Sequence, residues 1–127
     1  MGNIMSNGTK IKWLSEPEEK DYPAANSYLS LLYKNQQVED IVAKLRKHPI
    51  TNFKAKDIFR ASGLSLLGVS NYHVEKDRKN IQDGKSLSPI LLVRDQQRGK
   101  VIIADGYHRL CAVYSFNEDE LIPCKIV

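Results

Sequence analysis

The sequence predicts an α+β domain: a small mixed sheet with flanking helices, preceded by an N-terminal helical hairpin. Three observations predict it. Helical periodicity dominates the first part of the chain, with Ala25, Tyr28, Leu29 and Leu32 on one stripe and Val38, Ile41, Val42 and Leu45 on another. Two apolar runs, Ile90 to Arg94 and Lys100 to Ala104, are separated only by the turn-forming residues Asp95 to Gly99. A third apolar run, Ile122 to Val127, follows an amphipathic segment starting at Tyr107. Strands and helices are thus mixed, with a hairpin near the centre.

Taken in order, residues 1–12 read as a flexible tail, within which Lys10 to Leu14 opens a short extended segment. Residues 13–50 form a helical extension expected to pack on the core. Glu16 to Asp21 is an acidic loop and Pro23 is placed to open a helix, since a helix start tolerates the missing N–H. Asn35, Gln36 and Gln37 join the two helices, and Pro49 stops the second. The Val38 to Leu45 stripe fits core better than an exposed interface.

Residues 51–127 form the core unit. Asn52 to Lys56 alternates around Phe53 and Ala55 as a strand, and Asp57 to Ala61 makes a helical turn. Ser62 to Tyr72 is a loop. His73 to Gln82 is a polar helix whose thin apolar stripe is Val74 and Ile81, with Gly84 ending it. Pro89 introduces the strand from Ile90, and Tyr107 to Phe116 forms the last helix.

Composition bounds the function. With 127 residues, 42% hydrophobic and 27% charged, the chain has the profile of one globular domain. No apolar run approaches the roughly 20 residues needed to span a bilayer. The polar N-terminus lacks the order of a signal peptide, so a cytoplasmic protein without membrane partners is expected. Cys111 and Cys124 sit in apolar surroundings and read as structural thiols. No Cys/His spacing of a zinc site occurs, and no metal ligands are assigned. The net charge is +4, and positive charge is densest at Lys44, Arg46, Lys47, Lys54, Lys56 and Arg60. That stretch fits a solvated face better than a nucleic-acid interface, since Phe53 and Phe59 are its only Phe, Tyr or Trp residues.

Chemistry concentrates in Asp105-Gly106-Tyr107-His108-Arg109. Glycine lets the backbone leave the preceding strand sharply. The next residues begin a helix, whose first amides lack partners within the helix and whose dipole favours an anion. A helical wheel puts Tyr107, Leu110, Cys111 and Tyr114 toward the core and leaves His108 and Arg109 at the rim, where they suit phosphate oxygens. A second reading fits the same residues: Asp105 as a helix cap, His108 and Arg109 as ordinary surface.

Strand, Asp-Gly-Tyr-His-Arg, a helix containing Ala112, and the closing Ile122-Pro123-Cys124 resemble the ParB N-terminal and sulfiredoxin superfamily. That superfamily carries Gly-Glu-Arg-Arg or Gly-Cys-His-Arg at the corresponding turn. Phe53 to Asp57 is similar to its opening strand, and His73 to Gln82 to the helix before its Pro-Ile strand, here Pro89-Ile90. The resemblance covers about Thr51 to Val127 and is nearest to small stand-alone bacterial ParB-like proteins.

The resemblance implies a nucleotide such as ATP, ADP or CTP, with or without Mg²⁺, held at Gly106, Tyr107, His108 and Arg109. It adds His73, Lys76 and Asn80 from the preceding helix, although a solvated helix face explains Lys76 and Asn80 equally well. Some relatives with a similar turn phosphorylate free serine with an aspartate as base, which gives Asp105 a catalytic role toward a hydroxyl-bearing acceptor. Asp57, Glu75 and Asp77 are candidates for a second carboxylate. Sulfiredoxin activity is not expected, because Tyr107 stands where the nucleophilic cysteine belongs. Chromosome partitioning is not expected either, because the sequence carries no helix-turn-helix region after this unit. Three functions stay open: a nucleotide-dependent phosphotransferase or NTPase, a non-enzymatic nucleotide- or partner-binding regulatory module, and a nucleic-acid-associated protein.

Overall fold

Strands buried on both faces divide the molecule into two apolar layers around one sheet. The computed structural model describes residues 10–68 and 70–127. Its main sheet has four strands in the order β2-β6-β4-β5, namely β2 Thr51–Lys54, β6 Leu121–Ile126, β4 Ile90–Asp95 and β5 Lys100–Asp105. β6 pairs antiparallel with β2 and parallel with β4, and β4 pairs antiparallel with β5 as a hairpin. A mixed sheet with five helices among the described residues makes the chain α+β.

Ile90 and Leu92 point to one face, where they meet α3 (Ala55–Ser62), α4 (Tyr72–Gln82) and α5 (Tyr107–Phe116) through Ile58, Val74, Ile81, Leu110 and Val113. Leu91 and Val93 point to the other, against α1 (Asp21–Leu29) and α2 (Asn35–Lys47) through Tyr22, Ala25, Leu29, Val38, Val42 and Leu45. Such two-sided burial explains why Ile90 to Val93 is an unbroken apolar run.

The helical extension is therefore the second layer of the molecule. Its anchor is Lys125, 2% exposed on β6, whose Nζ donates to the Arg46 carbonyl at 2.9 Å and lies 3.1 Å from Glu16 Oε1. Several boundaries differ from those the sequence predicts. Helix α1 begins at Asp21, two residues before Pro23, because any residue of the first turn can lack its N–H. In consequence its buried stripe is Tyr22, Ala25 and Leu29, while Tyr28 and Leu32 are exposed. Asn35 to Gln37 belong to the first turn of α2 rather than to a linker. Residues 55–62 make a full helix rather than a single turn.

The expected tail at residues 1–12 lies mostly outside the described residues. Its described part does not behave as a tail: Ile11 is buried, and Lys12 opens β1 (Lys12–Trp13). β1 pairs in parallel with β3 (Ser86–Leu87), a two-residue strand too short to signal itself in the sequence. Among the described residues no helix is long and apolar enough to cross a membrane.

Candidate functional site

β5 delivers the chain to Gly106, which takes φ +109° and turns it directly into α5. A side chain there is excluded twice. A Cβ would lie 2.9 Å from Ile90 Cγ1 and 3.0 Å from Arg109 Nη2, and the left-handed backbone is itself costly for other residues. The first α-helical bond runs from the Leu110 amide to the Gly106 carbonyl at 2.9 Å, so the amides of Tyr107, His108 and Arg109 precede the helical ladder.

Opposite this turn stands α4. Asn71 caps it, accepting from the amides of His73 and Val74 at 3.0 and 3.2 Å. The cap fixes the helix so that Val74 and Ile81 enter the core. His73, Lys76, Asp77 and Asn80, at i, i+3, i+4 and i+7, line a cleft of about 330 Å³ between α4 and the α5 turn. Asp105, Gly106, Tyr107, His108 and Arg109 form its other wall. All eight residues singled out in the sequence thus border one cavity. The His73 and His108 rings, tilted 44° to one another with centroids 4.8 Å apart, join the two walls by contact.

The sequence did not foresee the third wall. Glu18, Lys20 and Ser88 come from the segments before α1 and before β4. Asp21, 4% exposed, accepts a hydrogen bond from the Ser88 hydroxyl. It also approaches Arg109, Nη2 to Oδ2 at 3.5 Å. The acidic run from Glu16 to Asp21 was the available signal, but nothing local says that it folds over a turn so distant in sequence.

Two expected placements change. Arg109 is not a rim residue: its side chain is 18% exposed, with Nη2 at 2.9 Å from Asp105 Oδ2 and donating to the Pro89 carbonyl at 3.3 Å. Its Nε is buried with no partner among the described residues. Asp105 is not a helix cap, since Gly106 holds that position and no side chain caps α5. Of the candidate second carboxylates, Asp77 lines the cleft, whereas Asp57 pairs with Arg60 on α3.

The electrostatics follow from partial burial. Loss of water raises the Asp105 carboxyl above its ordinary range despite the Arg109 pairing, and neighbouring Asp21 pushes it further. Burial likewise raises Asp77, against the pull of Arg109 and His108. His108 lies below the ordinary histidine value through burial and the facing His73. The Cys111 and Cys124 thiols are both free and buried, and burial pushes Cys124 up to about 12, so neither offers a thiolate.

Among the described residues no group of three or more His, Cys, Asp or Glu side chains gathers as a metal site. The cleft carries Lys20, Lys76 and Arg109 against Glu18, Asp77 and Asp105, besides its two histidines and a free helix start. Comparison with protein-family models, curated proteins and solved structures finds no match to this chain.

Proposed function

We propose that the cleft between α4 and α5 binds the phosphates of a nucleotide such as ATP, ADP or CTP. One observation carries this reading: the amides of residues 107–109, which precede the helical ladder, belong to a turn that lines a cavity also bordered by His73, Lys76 and His108. The glycine that admits no Cβ lets the backbone itself form that wall. The chain order of strand, Asp-Gly-Tyr-His-Arg and helix, with its resemblance to the ParB and sulfiredoxin superfamily, supports the same ligand. Mg²⁺ has no resident site in this donor set. It would arrive on the phosphates, with Asp105 and Asp77 as the nearest carboxylates.

A nucleotide held there supplies a transferable phosphoryl group. On this reading Asp105, at the end of β5 and beside the turn, takes the proton of a hydroxyl-bearing acceptor. The arrangement on this reading is a phosphotransferase or NTPase. The tight Asp105–Arg109 pair favours a second reading, a non-enzymatic nucleotide-binding regulatory module in which Asp105 only holds Arg109.

Thermal shift against ATP, ADP, CTP and GTP, with and without Mg²⁺, tests the binding. A ligand specific for the folded state raises Tm by mass action. A folded protein whose Tm none of them moves would overturn the proposal. Asp105→Asn separates the two readings: turnover lost with nucleotide affinity kept supports catalysis, and no turnover by the unaltered chain supports the module.

A further inference from the structure

The turn that walls the polar cleft also walls a second cavity. Residues 105–108 border a pocket of about 410 Å³ whose remaining lining is Ala24, Tyr28, Leu64, Ile103 and Ala104. The two cavities differ in chemistry. Outside the shared turn, the second pocket presents a single polar side-chain atom, the Tyr28 hydroxyl, on otherwise apolar walls. Tyr28 and Leu64 are 43% and 44% exposed, so large apolar surfaces stand open beside the helix start.

Each wall is held by the fold. Ala24 and Tyr28 lie on the flank of α1 beside its buried stripe of Tyr22, Ala25 and Leu29, where they border the pocket together with Ile103 and Ala104 of β5. Leu64 belongs to the segment after α3, and the Tyr107 hydroxyl donates to the carbonyl of its neighbour Ser65. α5 therefore ties down the segment that completes the pocket.

Resting on the phosphate-binding reading, we propose that this pocket takes an apolar ring or branched aliphatic group of the ligand whose anionic end sits on the amides of residues 107–109. Continuity through the shared turn joins the two ends within one small molecule. The volume matches one ring-sized group rather than a protein segment. The seat and the pocket together thus favour a phosphorylated molecule that carries an apolar ring or branched group.

Phenyl phosphate and inorganic phosphate, titrated separately and followed by amide and methyl NMR, test this. Both should shift the amides of residues 107–109. Phenyl phosphate alone should shift the Ile103 and Leu64 methyls and bind about tenfold tighter or more, as expected for burying a ring. Ala24→Trp, at an exposed helix position, fills the pocket and should remove that gain while inorganic phosphate binds as before. Tyr28→Ala, which removes a wall, should reduce the gain as well. Equal affinity for the two ligands, or a gain that survives both substitutions, overturns the apolar subsite while leaving the phosphate seat intact. If neither ligand shifts residues 107–109, the phosphate seat fails and the subsite with it.

Discussion

A methyl group on Gly106 would meet Ile90 at 2.9 Å, on the strand that forms the middle of the sheet. Ile90 is fully buried and cannot move aside. Gly106→Ala should therefore cost about 1–3 kcal/mol, combining backbone strain with the clash. A chemical-denaturation midpoint equal to that of the unaltered protein would refute it. His108 titrates below its ordinary range, so it is neutral near pH 7 and becomes charged as pH falls. Because its folded value is the lower one, its neutral form supports the fold above about pH 6.5. That contribution is lost as pH falls through the folded value. Protonation strengthens anion binding over the same interval, with His73, Asp77 and Arg109 as its charged or titratable neighbours. Affinity for sulfate, whose charge is constant there, should rise from pH 7.5 to 5.5, and His108→Ala should flatten the profile. Asp77 has the opposite sign. Its folded value is raised, so ionisation costs stability as pH climbs above the ordinary carboxylate range. Asp77→Asn should melt higher at pH 7, with a gain that shrinks toward pH 4. At this scale the sequence revealed the turn but misplaced Arg109. A helical wheel knows only the helix, whereas Asp21 and the Pro89 carbonyl reach the guanidinium from other parts of the chain.

Helix α1 connects the extension to the cleft at its first turn. Asp21 stands at the positive end of that helix, takes the Ser88 hydroxyl and neighbours Arg109. Asp21→Ala leaves the Ser88 hydroxyl without its acceptor and should destabilise the protein by about 1–3 kcal/mol. It also removes one of the two carboxylates beside Arg109, which keeps Asp105, so phosphate affinity should rise while stability falls. An unchanged urea midpoint would show that α1 merely rests on the sheet. Elements were legible where one helix or strand carries its own pattern. Helix α4 is readable from Val74 and Ile81, which define its inner face. His73, Lys76 and Asn80 come to the site only through the resemblance, because spacing alone does not tell a cleft wall from a solvated face. The β4–β5 hairpin and α5 were equally plain, for their apolar runs are long and bounded by turn residues. β3 was not, because its two residues acquire strand character only through β1, far away in sequence. The start of α1 was misjudged because proline was read as the first helical residue, although the whole first turn admits it.

Across the whole molecule the basic stretch from Lys44 to Arg60 is divided. Lys44, Arg46 and Lys47 lie on α2 and Lys56 and Arg60 on α3, helices that cover opposite faces of the sheet. Lys54 and Lys56 also face Asp119, and Arg46 pairs with Glu19. A net charge of +4 spread in this way makes no continuous track for a phosphate backbone. Duplex DNA should give no retarded band near 150 mM salt in a mobility-shift assay. A band that persists there and weakens steeply as salt rises would reverse that conclusion. The α+β class followed from the mixture of periodicities, but the two-layer arrangement did not. Only the sheet order shows that the extension forms one complete side of the core.

That order has a consequence for the birth of the protein. β6 lies between β2 and β4, pairing Thr51 with Cys124 and Ile90 with Cys124. While the chain is still on the ribosome, β2 and the β4–β5 hairpin are already made but have no partner joining them. Their facing edges stay unpaired, and the core lacks Ile122, Cys124 and Ile126, until Leu121 to Ile126 emerge from the exit tunnel. Nascent chains stopped before Leu121 should accordingly be open to proteases and prone to clump, however complete their helices.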